Sequence, residues 1–92
     1  MSSVRIQRPH RLGAREALRR FAQVESSLRQ DYGVSVVWEG PAGAFHGQGI
    51  AGQVHVAEEH IAIDLRLGIM LWPFTRRIQA SLEEEVDRLL GG

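Results

Sequence analysis

The sequence has no cysteine, no lysine and no net charge, and only six of its 92 residues are aromatic. Zero cysteine excludes a disulfide scaffold and a cysteine-ligated metal cluster, and it fits a reducing compartment. Eleven basic against eleven acidic side chains leave no cationic excess, which argues against a nucleic-acid module held by phosphate contacts. No apolar run approaches the length of a membrane-spanning helix. Met1 to Arg11 has no apolar core of the signal-peptide kind, so the cytoplasm is the expected location. A hydrophobic content of 43% is still too high for a disordered chain. A chain of this length buries roughly two-thirds of its extended surface on folding, enough for one two-layer core, so residues 1–92 are expected to form a single α+β domain. All eleven basic residues are Arg. That is either codon bias in a GC-rich genome or a use of planar forks for bidentate carboxylate or phosphate contacts.

What is present divides by period. Val4 to Arg8 alternates apolar and polar residues, as a half-buried strand does, and ends at Pro9. From Gly13 to Tyr32, Ala14, Ala17, Leu18, Phe21, Val24, Leu28 and Tyr32 make one helical stripe. Gly13 is placed to act as N-cap with Glu16 three residues on, and Gly33 as the left-handed C-terminal residue. Val34 to Glu39 reads as a second strand with Val34, Val36 and Trp38 on one face. Gly40 to Gly43 reads as a turn, and Ala44 to His46 as a short third strand weakened by its glycines. Ile50 to Ala57 and His60 to Leu67 read as a hairpin around Glu58 and Glu59. Facing Val56 with Ile61 also pairs Val54 with Ile63, Gly52 with Leu65 and Ile50 with Leu67 on one face, whereas a one-residue slip turns every apolar partner outward. A last helix is expected near Pro73, with Phe74, Ile78, Leu82, Val86 and Leu90 as its stripe. The order is β-α-β-β-β-β-α, a mostly antiparallel sheet with two antiparallel helices on one face. Both helices carry their bases early and acids late, against the helix dipole. Antiparallel packing would set each basic end beside the other's acidic end.

Ile6-Gln7-Arg8-Pro9-His10, Leu12-Gly13 and the Ala/Arg-rich helix, then Tyr32-Gly33, Trp38-Glu39-Gly40, Phe45, Gly49, Gly52, Leu67-Gly68 and a Glu-rich final helix resemble the polyhydroxyalkanoic acid system proteins. These small bacterial proteins are named for genes lying near polyhydroxyalkanoate synthesis and granule genes. The resemblance spans nearly the whole chain, and its most specific part is the RPHxLG start. It implies a biological setting and no catalytic motif. The expectation is a non-enzymatic accessory protein that binds granules or granule-associated proteins. The alternative is a carrier or enzyme for an acyl or hydroxyacyl ligand.

The residues themselves offer few sites. His46, His55 and His60 lack the spacing of a zinc site. His55 and His60 are expected as diagonal neighbours on the outer sheet face, roughly 7 to 8 Å apart, and no metal or cofactor is expected. Asp64, the one acid inside a strand, reads as a solvated cross-strand partner. His10 is placed to bond exposed N–H groups at the helix start, or to bind a ligand with Arg8 and Arg11. The first twenty residues hold six arginines against Glu16 alone, which reads as solvated faces and pairing between the helices, with an acidic partner or an acyl-coenzyme A phosphate as the alternative. Ala51, Ala57 and Ala62 on the outer face allow a second sheet to approach closely, hence a homodimer. Ile69, Met70, Leu71, Trp72 and Phe74 form an apolar run where a strand-to-helix connection is normally polar. The run either plugs the core or meets a partner, with Leu71 and Trp72 the expected contacts.

Overall fold

Alternating Val4 and Ile6 put one face of β1 (Ser2–Pro9) into the core, and the three-to-four spacing of Ala17, Phe21, Val24 and Leu28 does the same for α1 (Gly13–Tyr32). The computed structural model describes residues 2–91. After α1 come β2 (Ser35–Glu39), β3 (Ala42–Gly47), β4 (Ile50–Val56) and β5 (His60–Leu67). A 3₁₀ segment (Ile69–Phe74) then leads into α2 (Thr75–Gly91). The strands form one sheet in the order β1-β5-β4-β3-β2, with every neighbouring pair antiparallel. The fold is α+β.

The β4–β5 hairpin has the expected register: Val56 opposes Ile61, Val54 opposes Ile63, Gly52 opposes Leu65 and Ile50 opposes Leu67. The Ala57 N–H donates to the His60 carbonyl across the loop at 2.8 Å. β1 joins the free side of β5 with Val4 opposite Leu65 and Ile6 opposite Ile63, so the apolar set extends by another strand on the same face. On the other side Phe45 of β3 faces Gly52, and Val36 and Trp38 of β2 continue the surface.

Both helices cover this face and run antiparallel. Arg20, early in α1, donates to the carbonyl of Leu89, late in α2 (2.8 Å), while Tyr32 at the end of α1 lines a groove with Arg77 at the start of α2. Phe21 packs edge-on against Trp38 with ring centroids 5.9 Å apart, and the Trp38 indole N–H donates to Glu25 at 3.1 Å. Ile78, Leu82 and Val86 close the second half of the core.

Three local expectations change. Gly13 is not the N-cap residue; that position falls on Leu12, and Gly13 opens the helix with φ of 79°. Glu16 turns away toward Arg19 and Arg20, and the Ala14 N–H is capped instead by Glu58 from the β4–β5 loop (2.9 Å). The third strand is longer than Ala44–His46, because a two-residue Gly40-Pro41 connection lets Ala42 pair with Glu39. Gly52 stays in the ladder as the hairpin register requires, and a Cβ there would collide with the Asp64 carbonyl oxygen. Finally, α2 begins at Thr75 rather than Pro73, which leaves Phe74 outside the helix's buried stripe.

The one-sided sheet predicts a sharp contrast between neighbours. Val54→Asp or Ile63→Asp buries an unpaired carboxylate under the helices and should cost several kcal/mol, enough to unfold a domain of this size. Gln53→Asp, on the exposed face, should stay within about 1 kcal/mol. Urea denaturation that showed equal losses for all three would reverse the assignment of faces.

Candidate functional site

The β1–α1 junction is assembled around His10, which is buried. The Leu12 N–H donates to its Nδ1 at 3.1 Å, so Nε2 carries the proton and donates to the Ala57 carbonyl, also at 3.1 Å. The His10 backbone N–H donates to the Glu59 carbonyl at 2.9 Å. The ring therefore joins the start of α1 to the β4–β5 loop, the helix-start role read from the sequence. With both ring nitrogens engaged, His10 has nothing left to offer a ligand in this arrangement.

Arg8 is committed as well. Its Nε donates to Asp87 at 2.8 Å and its guanidinium lies 3.6 Å from Glu83. The Asp87 hydrogen bond is the main cause of a guanidinium pKa above its ordinary value. The acidic end of α2 is thus met by Arg8 of β1, not by the arginines of α1. Arg19 and Arg20 are taken up by Glu16 within α1, while Arg20 also reaches the last turn of α2. Arg11 is exposed and makes no ion pair or side-chain hydrogen bond among the described residues. Arg8 and His10 are thus held by partners within the fold, and Arg11 is left exposed.

The sheet face away from the helices is open. Its floor is small, with Ala42, Ala44, Ala51 and Ala62 outward-facing, and shallow depressions run over it between Arg5, Gln53 and His55 and between Val37, Gln53 and Arg66. Ala42 belongs to this floor because the third strand is longer than its glycines suggested. Arg5 lies 3.4 Å from Asp64, the cross-strand pairing expected for that acid, although with β1 as its partner. His55 and His60 are diagonal neighbours with ring centroids 6.5 Å apart. His46 lies on β3 opposite Ala51, away from both. Among the described residues no group of three or more His, Cys, Asp or Glu is arranged to hold a metal.

The apolar run is the exposed feature. Ile69 to Phe74 forms a 3₁₀ segment with no fully buried residue, so the run as a whole does not plug the core. Met70 is 82% exposed, Ile69 77%, Trp72 53% and Phe74 45%. Leu71 alone turns inward, packing on the core and against Gly49 of the β3–β4 turn. The segment is held at both ends. The Gly68 N–H donates to the Gly49 carbonyl (2.8 Å), the Leu71 N–H to the Gly68 carbonyl (3.0 Å), and the Thr75 hydroxyl to the Trp72 carbonyl (2.7 Å). Of the two contacts expected from the sequence, Trp72 faces out and Leu71 does not. Beside the segment, a groove of about 520 Å³ is lined by Gln30, Asp31, Tyr32, Leu71, Phe74 and Arg77.

Comparison with protein families gives a match to the family described as putative polyhydroxyalkanoic acid system protein, over residues 4–90. The chain belongs to that family. The matched region runs from the third residue of β1 to the last turn of α2, so both layers and the 3₁₀ segment lie inside it. No curated protein and no solved structure matches the chain significantly. No helix among the described residues of this polyhydroxyalkanoic acid system protein is long and apolar enough to cross a membrane.

Among the described residues Glu16 is the one strongly shifted carboxyl. Hydrogen bonds from Arg19 and then Arg20 hold it at about 2, below the ordinary 4.5. A carboxylate with a folded pKa below its unfolded one adds stability that is complete above the unfolded value and is lost as pH falls from about 4.5 toward 2. The surface position keeps that contribution small. Carboxyl NMR should therefore find the Glu16 midpoint near 2, and Arg19→Gln with Arg20→Gln should return it to the ordinary range. A midpoint already in that range in the unaltered protein would show that the two arginines do not hold it.

Proposed function

We propose that this chain is a non-enzymatic accessory protein of polyhydroxyalkanoate metabolism, working in the cytoplasm by attachment to the granule or to a granule-associated protein. The family supplies the setting. The observation that carries the attachment reading is the 3₁₀ segment. Four large apolar side chains stand exposed on one six-residue turn although Leu71 already closes the core beneath it. Burying one such side chain at a contact contributes roughly 1.5 to 3 kcal/mol, so leaving four in water is a standing cost that a partner would remove. The non-enzymatic part is supported by the engagement of the candidate acid-base residues: His10 in two hydrogen bonds, Asp64 beside Arg5, Glu16 between two arginines.

The structure separates the two roles that the sequence combined in Leu71 and Trp72. Ile69→Ser with Met70→Ser should leave the melting temperature within a few degrees and weaken co-sedimentation with isolated granules at least tenfold. Leu71→Ser should instead lower the melting temperature sharply through the cavity it leaves. Undiminished granule co-sedimentation of the Ile69/Met70 variant would defeat the attachment reading.

The groove beside Tyr32 and Arg77 favours a second reading, an acyl or hydroxyacyl carrier, since its volume is within the range of small-ligand sites. Self-association belongs to the open sheet face, where the alanine floor admits a second sheet at about 10 Å. Sedimentation equilibrium at high micromolar concentration should give a dimer that Ala51→Arg with Ala62→Arg returns to a monomer. A monomer from the outset would remove that interface.

A further inference from the structure

We infer that the 3₁₀ segment and the first turn of α2 together form an interfacial anchor for an anionic lipid surface. The inference rests on the attachment reading and names the chemistry of what is attached to. The apolar half is Ile69, Met70, Trp72 and Phe74. The polar half follows after Thr75: Arg76 and Arg77 are exposed and make no ion pair among the described residues. Arg5, Arg8, Arg19, Arg20, Arg29 and Arg88 each sit beside a carboxylate, whereas Arg76 and Arg77 are adjacent to each other and border the apolar turn. Two free guanidinium groups bordering an exposed apolar turn give complementarity to a surface with negative headgroups above a hydrocarbon layer. Basic residues meet the headgroups, and aliphatic and aromatic side chains enter the boundary below them.

The backbone suits the task. Insertion is weakened when a flexible loop must first be ordered, and here the turn is ordered in advance. Leu71 pins it to the core, Gly68 bonds to Gly49, Thr75 closes its last carbonyl, and Pro73 fixes one φ within it. A protein partner would need a pocket shaped to four side chains of different form. A fluid lipid boundary adapts to them, and it rewards the arginines in addition.

The full-length chain should float with vesicles of phosphatidylcholine containing one-third phosphatidylglycerol and much less with phosphatidylcholine alone. Trp72 emission should shift to the blue on binding. Trp38, bonded to Glu25 within the fold, supplies a constant background, and Trp72→Phe should abolish the shift. Each arginine near such a surface is worth about fivefold in partition, so Arg76→Gln with Arg77→Gln should lower binding roughly twenty- to thirtyfold. That double change removes no buried group and should leave the fold intact. Binding should also fall with added salt. Failure to bind the anionic vesicles, or equal binding to neutral and anionic vesicles that the arginine changes do not alter, would overturn the inference. Granule co-sedimentation separates it from the reading beneath it. Retained granule binding without vesicle binding would remove the lipid anchor and keep attachment. Vesicle binding without granule binding would do the reverse.

Discussion

Everything in this fold depends on a sheet that has only one apolar side. β4 sits at the centre, with Ile50, Gly52, Val54 and Val56 inward and Ala51, Gln53 and His55 outward. Period two leaves no intermediate choice, because any strand that pairs with it must put its own apolar set on the same side. β5 and β3 obey directly, and β1 and β2 obey through them. Two amphipathic helices then have one surface available, and the antiparallel arrangement lets both cover it. Gly52 belongs to the same constraint. Its missing side chain is what permits the close approach of the Asp64 carbonyl, and the large ring of Phe45 stands opposite it across the ladder.

The hairpin register, the stripes of both helices and the face of the second strand were legible because each depends on periodicity within a few residues. What was not legible depended on residues distant in sequence. Gly13 and Glu16 are the local candidates for the helix-start cap, yet the cap comes from Glu58, forty-four positions from the Ala14 N–H whose hydrogen bond it accepts. The carboxylates of α2 were matched to the arginines of α1, yet β1 passes nearer and Arg8 takes Glu83 and Asp87. The length of β3 was underestimated for a local reason. Glycine and proline in Gly40-Pro41 mark a turn without marking how tight it is, and a two-residue connection returned Ala42 to the sheet. In the apolar run, composition revealed the surplus but not its direction. Leu71 rather than Trp72 turns inward because the Gly68–Gly49 bond sets the segment beside the β3–β4 turn, where Leu71 meets Gly49.

Arginine is the only base, and the structure uses its planar fork in several ways. Arg20 spans a carboxylate in its own helix and a terminal carbonyl of the other, so a single side chain serves both the local pair and the antiparallel packing. A cation at the last carbonyls of α2 also meets the negative end of that helix's dipole. Arg8 likewise ties the edge strand β1 to α2. These pairs are partly or largely exposed and individually weak. Their effect is to orient the helices over a core whose burial supplies the stability.

The 3₁₀ segment shows how that economy breaks at one place. A connection from β5 to α2 has to turn the chain from the sheet layer into the helix layer, and one inward residue, Leu71, is enough to seal the end of the core there. Ile69 and Met70 are left more than three-quarters exposed and Trp72 and Phe74 about half exposed, and such exposure invites aggregation. Pro73 and the bonds at Gly68 and Thr75 hold the turn in shape instead of letting it fold back over the core. A rigid support beneath an exposed apolar surface is the arrangement expected of a contact made with something outside the chain. The unpaired Arg76 and Arg77 beside it extend that argument from apolar contact to charge.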